Sequence, residues 1–191
     1  MLSIDEIKNQ LKEILSEKRY KHSLGVADEA EKLARRYGAD VHKAYLAGLV
    51  HDCAKEYDPN DMENILRTKY GISADYMSRL MPKILHGQLG ACDAQSKFFI
   101  YDPEVLDAVR YHTTGKGSMS LLTKIIYIAD YIEPGRDFDG VEALRKKAYE
   151  NLDEAIILGI DETIKDLLNR GLVIHPDTVH ARNDLVIRRS R

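Results

Sequence analysis

Apolar residues recur every three or four positions along most of the chain, the period of helices that bury one face. Ile4, Ile7, Leu11 and Ile14 follow the pair Ser3 and Glu6, whose spacing forms a capping box, and predict a first helix. A second is expected at residues 19–37, with Val26, Ala30, Leu33 and Tyr37 on one face and Gly38 as its stop signal. Asp40 would cap a third, carrying Ala44, Ala47 and Val50 toward His51-Asp52. Leu46 and Leu49 make its other positions apolar as well, the mark of a central, buried helix. Asp58-Pro59 and Asp102-Pro103 each place a capping carboxylate before a proline at the first helical position. Further helices are expected around residues 74–81, 85–99, 120–132, 141–150 and 152–170.

The short apolar runs 172–174 and 185–187 are too isolated to build a sheet, so the stretch after Gly171 reads as irregular, ending in a frayed basic tail at residues 188–191. No repeat, low-complexity segment or linker divides the sequence. The expectation is one all-α domain over residues 1–191, a helical bundle with its chemistry at about 19–136 and C-terminal helices and tail at 141–191. The apolar stripe Leu152, Ile156, Ile160, Ile164 and Leu167 reads as intramolecular core before it reads as a dimer interface; a homodimer stays open.

Composition narrows the class. At 191 residues, 44% hydrophobic and 31% charged, the chain can bury a sizeable core and is not disordered. A net charge of −3 offers no field for gripping a polynucleotide. Cys53 and Cys92 are far apart and show no Cys-x-x-Cys spacing, which argues against disulfides and zinc–thiolate sites and fits a reducing cytoplasm. No apolar run approaches ~18 residues and no signal-peptide pattern opens the chain, so neither a membrane partner nor export is expected.

The histidines separate by surroundings. His42 reads as a surface residue, while His175 and His180 fall in the irregular C-terminal stretch. His22, His51, His86 and His112 have apolar neighbours at helical spacing and should point inward. A lone histidine on an apolar face is usually a hydrogen-bonded core residue. Four on separate helices would each need a polar partner in one small core, and Asp130 sits in a nearly all-apolar helix with no cation close in sequence. A metal ion shared by these imidazoles with Asp52 and Asp130 would meet all of these needs together. Imidazole and carboxylate without thiolate suits iron or manganese, admits zinc and disfavours calcium. Such an ion lowers the pKa of bound water and polarises a phosphoryl oxygen. Asp52 could bridge two ions, with His86 and His112 holding the second, or those two could meet a substrate phosphate directly. Lys55, one turn beyond Asp52, is placed to stabilise phosphoryl charge. Arg19, Arg136 and the polar loop Thr113-Thr114-Gly115-Lys116 are weaker candidates for phosphate contacts.

His22, His51-Asp52 and Asp130, in that order within a helical chain, resemble the HD-domain superfamily of metal-dependent phosphohydrolases. Three stretches, Arg19-Tyr20-Lys21-His22-Ser23-Leu24-Gly25-Val26-Ala27, His51-Asp52-Cys53-Ala54-Lys55 and Ala129-Asp130-Tyr131-Ile132-Glu133-Pro134-Gly135-Arg136, are similar to the bacterial YqeK family, the HD-type symmetrical bis(5'-nucleosyl)-tetraphosphatases. So is the run from His175 to Asn183. This resemblance implies diadenosine tetraphosphate cut centrally to two ADP by a metal-bound hydroxide, with iron, one or two ions, as cofactor. It implies His22, His51, Asp52 and Asp130 as metal ligands, with His86, His112, Lys55 and Arg136 around the phosphates, and the segment from Arg170 to His175 near the nucleotide.

Other branches fit less well. Hydrolases of guanosine tetraphosphate alarmones carry Glu-Asp where this chain has Lys55 and Glu56, and the Gly-Tyr-Pro triplet of the cyclic-dinucleotide phosphodiesterases is absent. HD-type nucleoside 5'-monophosphatases share the ligand set and remain an alternative. A binding module without hydrolase activity and a di-iron oxygenase are the rival classes.

Overall fold

The computed structural model describes residues 1–189. Among them the chain forms eleven α-helices and no strand: α1 Ile4–Ile14, α2 Glu17–Tyr37, α3 Val41–Val50, α4 Pro59–Tyr70, α5 Tyr76–Leu80, α6 Leu85–Phe98, α7 Pro103–Tyr111, α8 Leu121–Ile132, α9 Val141–Glu150, α10 Leu152–Asn169 and α11 Pro176–Arg189. A single 3-10 turn, Pro82–Ile84, leads into α6. None of the helices is long and apolar enough to cross a membrane.

The starts follow from side-chain caps. Ser3 and Glu6 form the capping box, Asp40 accepts from His42 and Lys43, Asp102 from Glu104 and Val105, and Ser120 from Thr123, so donors that a helix leaves unpaired are met locally. Gly38 and Gly71 stop α2 and α4 in the left-handed conformation that glycine adopts without steric cost.

The long α2 packs along α3 and α8, and α7 lies against α6 and α8. These helices enclose the main core, whose largest buried members include Tyr127, Phe98, Leu33, Leu49 and Ile125. Helices α2 and α3 meet without side-chain spacers: a Cβ at Gly48 would lie 2.8 Å from Ala27 Cα. A smaller core of Met62, Leu66, Leu85, Leu89 and Cys92 seats α4 on α6. The α10 stripe divides: Leu152, Ile156 and Ile160 are buried in the main core, whereas Ile164 and Leu167 further along are only half-buried.

The C-terminal stretch departs from expectation. Pro176 opens a full helix there, and Thr178, Ala181 and Leu185, at helical spacing, face inward. Leu185, in the second short apolar run, is therefore a core residue of α11 that packs on α10. Arg188 bonds Asp184 at 2.9 Å and Arg189 meets Glu154 at 3.1 Å, so both belong to that helix rather than to a frayed tail. Ser190 and Arg191 lie outside the described residues.

Candidate metal and phosphate site

Four helices aim their histidines at one point. His22 comes from the second turn of α2, His51 from the residue after α3, His86 from the start of α6 and His112 from the residue after α7. The chain leaves α3 in a tight turn, closed by Cys53 N–H to the Val50 carbonyl and Lys55 N–H to the Asp52 carbonyl, which sets Asp52 and Lys55 on one side. Asp130 arrives from the last turn of α8.

Proton accounting defines what this cluster lacks. His51 Nδ1 lies 2.6 Å from the Gly48 carbonyl, His86 Nδ1 2.5 Å from Lys83 and His112 Nδ1 2.7 Å from Val109. A carbonyl oxygen only accepts, so each Nδ1 carries the ring proton and each Nε2 of the neutral ring presents a lone pair. His22 Nδ1 donates in the same way to the Glu133 carboxylate at 3.0 Å. All four Nε2 atoms face two carboxylates. His22 Nε2 is 3.0 Å from Asp130 and 3.8 Å from Asp52; His51 Nε2 is 3.6 Å from Asp52 and 3.8 Å from Asp130. His86 and His112 lie 3.2 and 3.4 Å from the other Asp52 oxygen, with their Nε2 atoms 3.0 Å apart. His22 Nε2, His51 Nε2 and Asp52 Oδ1 are buried without a hydrogen-bond partner. Acceptors facing acceptors in a water-poor interior are strongly unfavourable unless a cation stands between them. Two overlapping sets have donor atoms within 4.8 Å of one another: His22, His51 and Asp130, and His51, Asp52 and His112. This donor set fits a divalent transition ion.

The electrostatics agree. Burial pushes the fully buried His51 imidazole down to about 4, and lowers His86 as well, so both are neutral at pH 7 and free to ligate. Burial alone would favour the protonated acids of Asp52 and Asp130. Positive charge on the surrounding imidazoles when they are protonated, joined at Asp130 by Arg136, outweighs it and holds both carboxyls below their usual range.

A ring of cations and hydroxyls surrounds the cluster. Arg19 reaches Asp52 at 2.7 Å, and Arg136 reaches Asp130 at 2.5 Å. Asp130 thus gains a cation six residues further on, across a turn, although none is close to it within its helix. Lys55 Nζ is 2.9 Å from His86 Nε2 and 3.7 Å from Asp52; burial lowers its pKa, against the pull of those carboxylates. Thr113 Oγ1 lies 3.2 Å from His86 Nε2 and 3.1 Å from His112 Nε2. The expected loop is a packed turn: buried Gly115 abuts Ala181, and Lys116 turns away to Asp107 at 2.8 Å. Thr114 spends its hydroxyl on the Gly115 carbonyl and lines a 290 Å³ cavity that begins at Thr113. His175 is not in the cluster. It is buried on that cavity's wall, where its Nδ1 accepts from Asp177 N–H and its Nε2 faces Ser78 Oγ at 3.4 Å, which in turn bonds Asp75.

One residue at the site had drawn no role from the sequence. Glu133 is buried, orients His22 and accepts from Gly135 N–H at 2.5 Å. Gly25 makes room for it, since a Cβ there would stand 2.7 Å from its carboxylate. Arg145 ties the turn from α9 by bonds to the carbonyls of Ile132, Glu133 and Arg136.

An all-helical scaffold that turns imidazoles and paired carboxylates inward, with arginine and lysine at the rim, is the architecture of a metal-dependent phosphohydrolase. The chain belongs to the HD domain family, whose model matches residues 19–135. It is 44% identical to a protein of Halalkalibacterium halodurans named symmetrical bis(5'-nucleosyl)-tetraphosphatase, over 91% of each chain. A Bacillus subtilis protein of the same name is 40% identical over 92% of this chain and 94% of its own. A crystal structure of a predicted HD superfamily hydrolase involved in NAD metabolism, from Clostridium acetobutylicum, superposes with a TM-score of 0.95 at 47% identity. That superposition covers 98% of this chain and 99% of the other.

Proposed function

We propose that this protein hydrolyses diadenosine tetraphosphate at its centre to give two ADP, using a divalent metal held by His22, His51, Asp52 and Asp130. The observation that carries the reading is that His22 Nε2, His51 Nε2 and Asp52 Oδ1 converge, buried and without a hydrogen-bond partner, ringed by Arg19, Lys55 and Arg136. The relatives named for this reaction match over nine-tenths of the chain, which supports the substrate. Iron is our assignment for the ion, one or two per chain, on the resemblance to the HD-type tetraphosphatases; the imidazole and carboxylate donors suit iron and manganese alike. When bound, such an ion supplies Lewis acidity and a water that ionises near neutral pH.

The chain's own groups account for the rest. Arg19 and Arg136 neutralise the polyphosphate beside the cluster, Arg136 offering a planar fork that pairs with two phosphate oxygens. Lys55, with its pKa lowered by burial, donates to an inner phosphate oxygen, and Thr113 and the His86–His112 pair border the same oxygens. The cavity of Ser73, Gln88 and the His175–Ser78–Asp75 chain takes one nucleoside, its polar edges met by those side chains. Buried, free Cys53 and Cys92 suit the reducing cytoplasm where such a nucleotide is met.

The deciding assay is product identity. Protein loaded with ferrous iron or manganese should convert diadenosine tetraphosphate to ADP alone. AMP with ATP, release of inorganic phosphate from AMP in preference, or no turnover with any divalent ion overturns the reading.

A further inference from the structure

A substrate with two nucleosides needs two places to put them, and a second cavity adjoins the cluster. It has a volume of 410 Å³, is lined directly by Asp130 and Arg136, and shares Thr113 with the first cavity. This falls within the roughly 300–1,000 Å³ of small-molecule sites. Phe138 and Tyr131 form its aromatic walls, and both continue into an adjoining hollow along α10.

The two aromatics differ in what fixes them. Tyr131 is held: its ring stacks on Tyr127 with centroids 5.4 Å apart, and its hydroxyl meets Thr163 at 2.9 Å. Phe138 lies in the turn between Arg136 and α9 and is 43% exposed, so it has no part in the core. An exposed phenylalanine two residues from a phosphate-binding arginine, on the rim of a cavity that reaches the cluster, has the placement of a stacking platform.

Charge orients the occupant. Glu162 and Asp166 line the cavity and also the adjoining hollow, which Arg136 does not line; there they repel phosphate and accept hydrogen bonds from ribose hydroxyls or an exocyclic amine. Phosphates therefore belong at Arg136 and the uncharged nucleoside beyond it. We propose that the cavity walled by Phe138 and Tyr131 is a second nucleoside subsite, in which Phe138 stacks on the base of the half opposite the one held near His175. This rests on the dinucleotide reading above and assigns both ends of that substrate.

The test compares diadenosine tetraphosphate with adenosine 5'-tetraphosphate, which has one nucleoside and can use the other cavity. Phe138→Ala should raise KM for the dinucleotide roughly 10-fold or more, the scale set by losing one base–aromatic stack, with kcat little changed. It should shift the KM, or the inhibition constant, of adenosine tetraphosphate less than about 3-fold. Phe138→Trp keeps an aromatic face and should hold the dinucleotide KM near the wild-type value. Unchanged dinucleotide KM in Phe138→Ala, equal weakening of both nucleotides, or no rescue by tryptophan overturns the subsite. Calorimetric affinities of the two nucleotides, measured with the cleavage-silent metal-free protein, give the same ratio independently of turnover. If wild-type protein binds the dinucleotide but does not cut it, the reaction fails while that ratio still judges Phe138.

Discussion

Two buried aspartates in this protein sit in opposite circumstances. Asp93, on α6, is 1% exposed and surrounded by donors: Lys97 at 2.7 Å, Tyr70 at 2.5 Å and Tyr57 at 3.0 Å, with Lys69 at 3.6 Å. Asp52, 2% exposed, has Arg19 and Lys55 on its outer side and the lone pairs of His51, His86 and His112 on its inner side. One carboxylate is complete as the chain folds; the other is complete only with something the chain does not supply. Counting donors against acceptors, rather than burial or charge alone, separates a structural ion cluster from a functional site.

The sharpest way to break that contrast is to remove Asp52. Asp52→Ala should abolish tight metal retention, read by elemental analysis, and lower turnover at least about 10³-fold, the scale of a single group in a preorganised site. Full activity in this variant would show that the cluster is only core. Next comes the histidine's outer partner. Glu133→Gln keeps the volume but loses the charge that fixes the His22 proton, and should cost roughly 10–100-fold in metal affinity or activity. Gly25→Ala, which drives a methyl at that carboxylate, should move the same readout in the same direction.

On the other side of the comparison, Asp93→Asn should leave metal content and turnover unchanged. It should lower unfolding free energy by roughly 2–3 kcal/mol, less than a fully buried pair because Lys97 reaches solvent. Denaturant titration checks this. The smallest effect is its pH dependence. Burial raises the Asp93 pKa, but the bonds from Lys97, Tyr70 and Tyr57 outweigh burial and leave it below the ordinary 3.8. A group depressed by folding stabilises above its unfolded pKa and loses that contribution as pH falls through its folded value. The difference in stability between wild type and Asp93→Asn should therefore hold at pH 5–7 and shrink below about pH 4. A gap that widens on acidification would refute the assignment.

Much of this was legible in the sequence, for local reasons. Ser3, Asp40, Asp58 and Asp102 each cap the helix they foretell, because a cap depends only on its next three residues. The inward histidines were readable from apolar neighbours at three, four and seven positions. What escaped depends on distant partners. Glu133 gains its meaning from His22, 111 residues away, and from the space left by Gly25. Helix α11 was obscured because its buried face, Thr178, Ala181 and Leu185, carries only one large apolar residue; Pro176 at its start was the overlooked sign. Arg136 shows the same limit, since a turn brings it back onto Asp130 from six positions on.

Gly48 gives the site its gauge. Because α2 and α3 touch backbone to side-chain-free backbone at Gly48 and Ala27, His22 and His51 are spaced by direct atomic contact, with ring centroids 5.2 Å apart. Any side chain at position 48 would wedge the two helices apart and widen the opening between their imidazoles. Under the proposed metal reading, a residue with no donor atom of its own sets how far apart two of the ligands stand.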